Sequence, residues 1–179
     1  KIPSINSFLY EFYSMGAVRH GDYIAKVRVI PTEQTKNAIT EKDIDLDSAE
    51  WPYRKGIIKE IAQKNLTFEL QIQLCKNLKE MPVNDLTKEW SQELSPFRTV
   101  AKITIPKQTV PEDGNFEIME NLSFTPFRTI EENSPIGNLQ RSRQSAYVTS
   151  STSRHELNHK KRKEPKNLEE AFSPEFYQL

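Results

Sequence analysis

This sequence predicts an α+β domain built on an antiparallel sheet, and three observations carry the prediction. LTFELQIQLC, residues 66–75, alternates without a break, with Leu66, Phe68, Leu70, Ile72 and Leu74 on one side and Thr67, Glu69, Gln71, Gln73 and Cys75 on the other. That is the period of a strand with one buried and one polar face. GDYIAKVRVIP, 21–31, and RTVAKITIPKQ, 98–108, repeat the period, the second more weakly. Segments of helical period lie between and around these stretches, so the expected architecture is a mainly antiparallel sheet, or part of a barrel, with flanking helices.

Taken in order, Ser4 precedes Ile5, Phe8, Leu9, Phe12 and Tyr13, an apolar stripe closed by Gly16. The spacing predicts a capped amphipathic helix over 4–15. The 21–31 strand ends at Pro31, and the polar, acidic 32–52 segment is expected to be a surface loop. YRKGIIKEIAQKN, 53–65, puts Ile57, Ile58 and Ile61 on one helical face, although Gly56 weakens the pattern. PEDGN breaks the chain after the 98–108 strand. SPIGNLQRSRQSAYVTSSTSR, 134–154, predicts a helix with Ser134 as N-cap and Pro135 at its first position. HELNHKKRKEPKNLEEAFSPEFYQL is charged and punctuated by proline, and is expected to be an extended tail that docks through Phe172, Phe176 and Tyr177.

Composition narrows the function classes. Lysine plus arginine number 25 against 25 aspartate plus glutamate, so overall charge gives no reason to expect nucleic acid or an anionic membrane as partner. The hydrophobic share of 36% is low for a compact globule and places surplus polarity in tail-like segments. A single cysteine, Cys75, excludes an intrachain disulfide framework and a cysteine metal cluster, and fits a reducing compartment. No apolar run approaches the roughly 20 residues that span a bilayer, and KIPSINSFLYEF lacks the pattern of a signal peptide. A soluble, cytoplasmic protein is therefore favoured. The first residue is not methionine, which points to a processed product, a fragment or part of something longer.

Chemistry-bearing patterns are few. There is no G-x-G-x-x-G, P-loop or G-x-S-x-G sequence, and Cys75 has no neighbouring histidine to activate it. His20 is remote from His155 and His159, so the histidines do not form a metal set. HKKRK, 159–163, reads as a solvated tail rather than a nucleic-acid patch, given the acidic residues that follow. The exception is RQSAYVTSSTSR, 143–154: on a helix Arg143, Tyr147, Ser150 and Arg154 share one face, and that face carries few apolar groups. Such a pair is ordinarily a surface cation–aromatic contact. Its functional alternative is specific, since a cation one turn away favours the phenolate form of a tyrosine, and tyrosine is one of the few axial ligands of heme iron.

The run Arg143-Gln-Ser-Ala-Tyr147, followed by Arg154 and Asn158, resembles the proximal segment of heme catalases, where an arginine precedes the iron-ligating tyrosine by four positions and another follows it by seven. ENLSFTPFRTIEENSPIGNLQRSR is similar to the small catalase-like branch of that superfamily, and RHGDYIAKVRVIP, LQIQLCKNLKEMPVNDLTKEW and SPFRTVAKITIPKQ are similar to its preceding strand and loop elements. The likeness covers roughly residues 5–158 and implies the later part of a catalase-like antiparallel β-barrel. Residues 1–158 would be the C-terminal part of a heme domain and 159–179 a charged tail.

The resemblance further implies heme as cofactor, with Tyr147 as axial ligand to the iron, Arg143 hydrogen-bonded to its oxygen and Arg154 paired with a propionate. Hydrogen peroxide or an organic hydroperoxide would be the substrate. Where common catalases carry Phe, Asp and His around this motif, the chain has Ser145, Thr149 and Ser151. The family's distal histidine and asparagine lie upstream of anything present, so no catalytic acid–base residue is expected in this chain. Two functions follow: a catalase- or peroxidase-like enzyme completed by a missing N-terminal half or by a homo-oligomer, or a truncated or degenerate heme-binding and interaction module without peroxide turnover.

Overall fold

The computed structural model describes residues 4–47, 50–110, 122–161, 166–167 and 169–170. Five strands form one antiparallel sheet: β1 (Phe12–Tyr13), β2 (Val18–His20), β3 (Tyr23–Pro31), β4 (Leu66–Leu74) and β5 (Arg98–Ile105). The order is β1-β3-β4-β5, with β2 also paired to β3, and no pairing among the described residues closes the sheet into a barrel. Strands β3, β4 and β5 coincide with the three alternating stretches. Between β3 and β4 the register runs from Ala25 opposite Leu74 to Pro31 opposite Phe68. A bulge at Leu70/Gln71 shifts the β4–β5 register, and every residue of β5 except Ile105 is exposed.

The expected helix over 4–15 is replaced by a single 3-10 turn, Ser7–Leu9, followed by β1. The cap is Asn6 rather than Ser4, its side chain accepting from the Phe8 N–H at 3.1 Å while its amide donates to the Glu41 carbonyl at 3.0 Å. Backbone bonds to Lys42 and Val27 hold this segment against distant chain. Long-range pairing thus overrides the helical spacing, since Phe12 and Tyr13 suit a strand as well as a helix. Only Phe8 and Leu9 reach the core, where they pack on Ile39, Ile61, Leu66 and Phe68.

The 32–52 segment is not all loop. Thr32 caps a short helix, α1 (Glu33–Ala38), and Ile39 and Ile44 are buried. Pro52 then opens α2 (Pro52–Ile61). Gly56, which weakened the sequence pattern, packs closely: a Cβ there would stand 2.8 Å from Ile44 Cδ1, so that side chain would have to shift. Close approach, rather than backbone freedom, explains a glycine inside this helix.

Nor does β4 have one polar, solvated face. Thr67, Gln71 and Gln73 are buried with their hydrogen bonds made. Gln73 donates to the carbonyls of Trp90, Ser91 and Ser95 at 2.9, 3.3 and 2.8 Å, which folds the 76–97 excursion over the sheet. A second core cluster of Ala17, Met81 and Trp90 forms under it, with Cys75 at its margin.

A long helix, α3, spans Asn138–Leu157. It starts later than Ser134 because the preceding residues are used otherwise. Val18 bridges Pro135, the Arg19 and Gly21 amides donate to the carbonyls of Ser134 and Glu132, and Ile136 donates to the Ala17 carbonyl. Gly137, at φ +96°, makes the turn into the helix. Phe172, Phe176 and Tyr177, expected to dock the tail, lie outside the described residues.

Candidate functional site

All three singled-out residues lie on α3, where the helical phasing predicted from RQSAYVTSSTSR holds throughout. Arg143 and Tyr147 meet. Arg143 Nη2 donates to the Tyr147 hydroxyl oxygen at 2.7 Å, and the guanidinium carbon stands 5.2 Å from the ring centroid. The helix supplies the one-turn spacing. A second donor of the same guanidinium, Nη1, reaches Gln140 Oε1 at 2.9 Å, so the arginine plane is held at two points.

Arg154 is placed differently. Its Nη2 donates to the Leu122 carbonyl at 2.6 Å, pinning α3 to the segment that begins at residue 122. Its Nε is buried and has no hydrogen-bond partner among the described residues. A second tie lies one turn back, where the Ser151 and Ser123 hydroxyls are 2.7 Å apart. The Ser151 carbonyl, which can only accept, is 2.7 Å from His155 Nδ1, so that nitrogen carries the proton.

Between α3 and the 123–128 segment is a shallow cleft of about 30 Å³, lined by Ser123, Phe124, Thr125, Arg128, Tyr147, Val148 and Ser151. It has room for a water or two. Phe124 and Val148 at its lip are 75% and 56% exposed, an apolar edge beside a phenol oxygen that already has a cationic donor. The spacing motif identifies Arg143, Tyr147 and Arg154 but not Ser123 or Gln140. Ser123 sits in a connecting segment with no periodicity. Gln140 is visible only as a polar residue one turn before Arg143, a position that carries no signal until its burial is known.

Elsewhere the structure offers less. Among the described residues no group of three His, Cys, Asp or Glu side chains could hold a metal ion, and no described helix is long and apolar enough to cross a membrane. Burial pushes the Cys75 thiol up, outweighing a backbone hydrogen bond at Asn77, the opposite of the shift that activates a thiolate nucleophile.

Sheet, excursion and α3 together match known structures along almost the whole chain. A fungal catalase crystal structure superposes with a TM-score of 0.65 at 16% sequence identity, covering 99% of this chain. The fold is catalase-like. Catalase A from Saccharomyces cerevisiae gives the same result, with a TM-score of 0.63, 19% identity and 99% of this chain covered. This catalase-like chain spans 40% and 41% of the lengths of those two catalases. No protein-family profile and no curated protein sequence matches it.

Proposed function

We propose that this chain is the proximal, C-terminal part of a heme-binding, catalase-like oxidoreductase acting on hydrogen peroxide or an organic hydroperoxide, with Tyr147 as the axial ligand to heme iron. The observation that carries the reading is the 2.7 Å hydrogen bond from Arg143 to the Tyr147 oxygen on a polar helix face. The donor set fits the group. A phenol oxygen held by a guanidinium donor is a fixed oxygen ligand for a metal ion. Arg154 brings a buried Nε with no partner among the described residues, to which a ligand carboxylate would supply an acceptor. The cleft beside Tyr147 is too small to enclose a porphyrin, so enclosure falls to further polypeptide.

When bound, heme supplies the redox chemistry that the side chains lack. The roles of this chain are to offer the Tyr147 oxygen, to hold Arg143 against it, to place Arg154 for a carboxylate and to keep the helix in register through the Ser123–Ser151 and Arg154–Leu122 ties. Among the described residues no histidine, aspartate or glutamate lines the cleft. That observation favours, as a second reading, a degenerate heme-binding module that does not turn over peroxide.

Hemin titration tests the ligation. The chain loaded with hemin is expected to give a high-spin ferric tyrosinate spectrum that Tyr147→Phe abolishes; an unchanged spectrum in that variant overturns the assignment. Oxygen release from peroxide by the hemin-loaded full polypeptide would exclude the degenerate reading.

The proposed partner is an N-terminal half or a second copy of this chain. Its support is β5, whose residues Arg98–Thr104 are exposed and whose outer edge takes no strand among the described residues. Sedimentation is expected to show self-association, or association with a complementing polypeptide, and a monomer that unfolds cooperatively alone would refute this. Residues 1–158 are proposed as the folding unit, so removing 159–179 should leave hemin binding unchanged.

A further inference from the structure

Only two residues of α3 are buried, Gln140 and His155, and neither is apolar. Gln140, at 3% exposure, lies one turn before Arg143. Burying an amide is unfavourable unless its hydrogen bonds are made. Its Oε1 accepts from Arg143 Nη1 at 2.9 Å, while Nη2 of the same guanidinium donates to Tyr147 at 2.7 Å. Held through both amino groups, the fork of Arg143 cannot swing about its long stem.

The other side of the Gln140 amide explains Gly16. That glycine does not adopt a left-handed conformation, and it closes no helix. A Cβ on Gly16 would stand 2.9 Å from Gln140 Nε2, 3.2 Å from Cδ and 3.3 Å from Cγ. The amide therefore rests on bare backbone from the N-terminal part of the chain. The same stretch fixes the entry to α3, through the Ile136 amide on the Ala17 carbonyl.

We propose that Gln140, seated on Gly16, is a positioning residue that aims Arg143 at the Tyr147 oxygen. The proposal rests on the reading of Tyr147 as heme ligand, and it predicts that loss of the Gln140 acceptor alone weakens hemin binding. Outer partners of metal ligands are worth roughly 10- to 100-fold in affinity. Gln140 acts through one intermediary, so about 10-fold, the lower end of that range, is expected.

The test compares the parent chain with Gln140→Met, which keeps reach and removes the acceptor, and Gln140→Glu, which keeps the acceptor. The first readout needs no heme. Nitrogen-15 NMR of the apo chain, with the Arg143 guanidinium assigned by its loss in Arg143→Lys, should show distinct, slowly exchanging Nη signals in the parent and in Gln140→Glu. They should collapse to an averaged signal in Gln140→Met. The second readout is hemin affinity with the tyrosinate absorption band, weakened about 10-fold in Gln140→Met and recovered in Gln140→Glu.

Parent-like Arg143 signals and hemin affinity in Gln140→Met overturn the proposal. Should that variant not melt cooperatively, Gly16→Ala decides, because the added methyl displaces the amide: averaged Arg143 signals are expected, and persisting distinct ones overturn the idea. A Tyr147→Phe chain with an unchanged hemin spectrum would instead remove the ligation reading, while the apo NMR comparison still judges the clamp.

Discussion

Replacing Glu60 by glutamine should destabilise the fold by about 3 kcal/mol, and the deficit should fade in acid. The Glu60 side chain is only 1% exposed. Its Oε1 accepts from Thr40 Oγ1 at 2.9 Å and from the Thr40 and Glu41 amides at 3.3 Å each, while Oε2 lies 2.8 Å from Lys64 Nζ. One carboxylate thus ties α2 to the loop after α1. In Glu60→Gln the amide oxygen can keep the Oε1 donors, but these bonds lose their charge, a loss of about 1 kcal/mol, and an NH₂ group now faces the Lys64 ammonium, which forfeits about 2 kcal/mol more.

The pH dependence of this effect has a definite sign. Burial alone would raise the Glu60 carboxyl; hydrogen bonds from Lys64, Thr40 and the Glu41 amide, with the Lys64 charge, outweigh it and hold the pKa below its ordinary value. A carboxyl depressed in the folded state contributes stability above its unfolded pKa, about 4.3, and loses it as pH falls through the folded pKa. Urea unfolding followed by circular dichroism at pH 7 should therefore show the full gap between parent and variant, equivalent to a Tm difference of roughly 6–12 °C for a chain of this size. The same comparison below about pH 4 should show it narrowing. A gap under about 1 kcal/mol at pH 7, or one that persists undiminished into acid, would refute the assignment of these contacts to Glu60.

Three further outcomes are expected. Gln73→Leu leaves the Trp90 and Ser95 carbonyls without their buried donor, so a loss of about 2–3 kcal/mol is expected, with faster amide hydrogen exchange in the 76–97 excursion than in β3 and β4. In Gly137→Ala, a side chain at φ +96° would also meet Val83 Cγ1 at 2.8 Å, so thermal melting should show a loss of about 1–3 kcal/mol and hemin titration a weaker site, because the entry to α3 shifts. The raised Cys75 thiol should react with a disulfide reagent at pH 8 at least about 10-fold more slowly than free cysteine, in proportion to its thiolate fraction and access, with the rate still climbing at higher pH.

How much of this was legible beforehand depended on how local each signal was. β3, β4 and β5 follow directly from period-two alternation, and the face shared by Arg143, Tyr147 and Arg154 follows from helical spacing, because both patterns are decided within a dozen residues. The 4–15 segment failed for the opposite reason: Phe12 and Tyr13 serve either period, and their partners Val29 and Arg28 decide between them. Ser134 and Pro135 form a sound helix start, yet their backbone is already committed to β2. Gly16 and Gly56 look like local features in the sequence, yet each lies against a side chain elsewhere in the chain, Gln140 and Ile44. Contacts of the site made through space, Ser123 with Ser151 and Gln140 with Arg143, were not legible, because neither Ser123 nor Gln140 belongs to a periodic pattern that marks it.

The union of β2 with the residues just before α3 also sets an order of assembly. Arg19 and Glu131, joined by a 2.8 Å ion pair, are separated by 112 positions. During synthesis the β2–β3 hairpin leaves the ribosome long before its second partner exists, and the segment carrying Tyr147 finds its seat only after nearly all of the sheet has been made. Closing so long a loop is slow, so the site should be among the last parts of the molecule to mature. A nascent chain halted before residue 131 would own a sheet but not the helix that carries Tyr147.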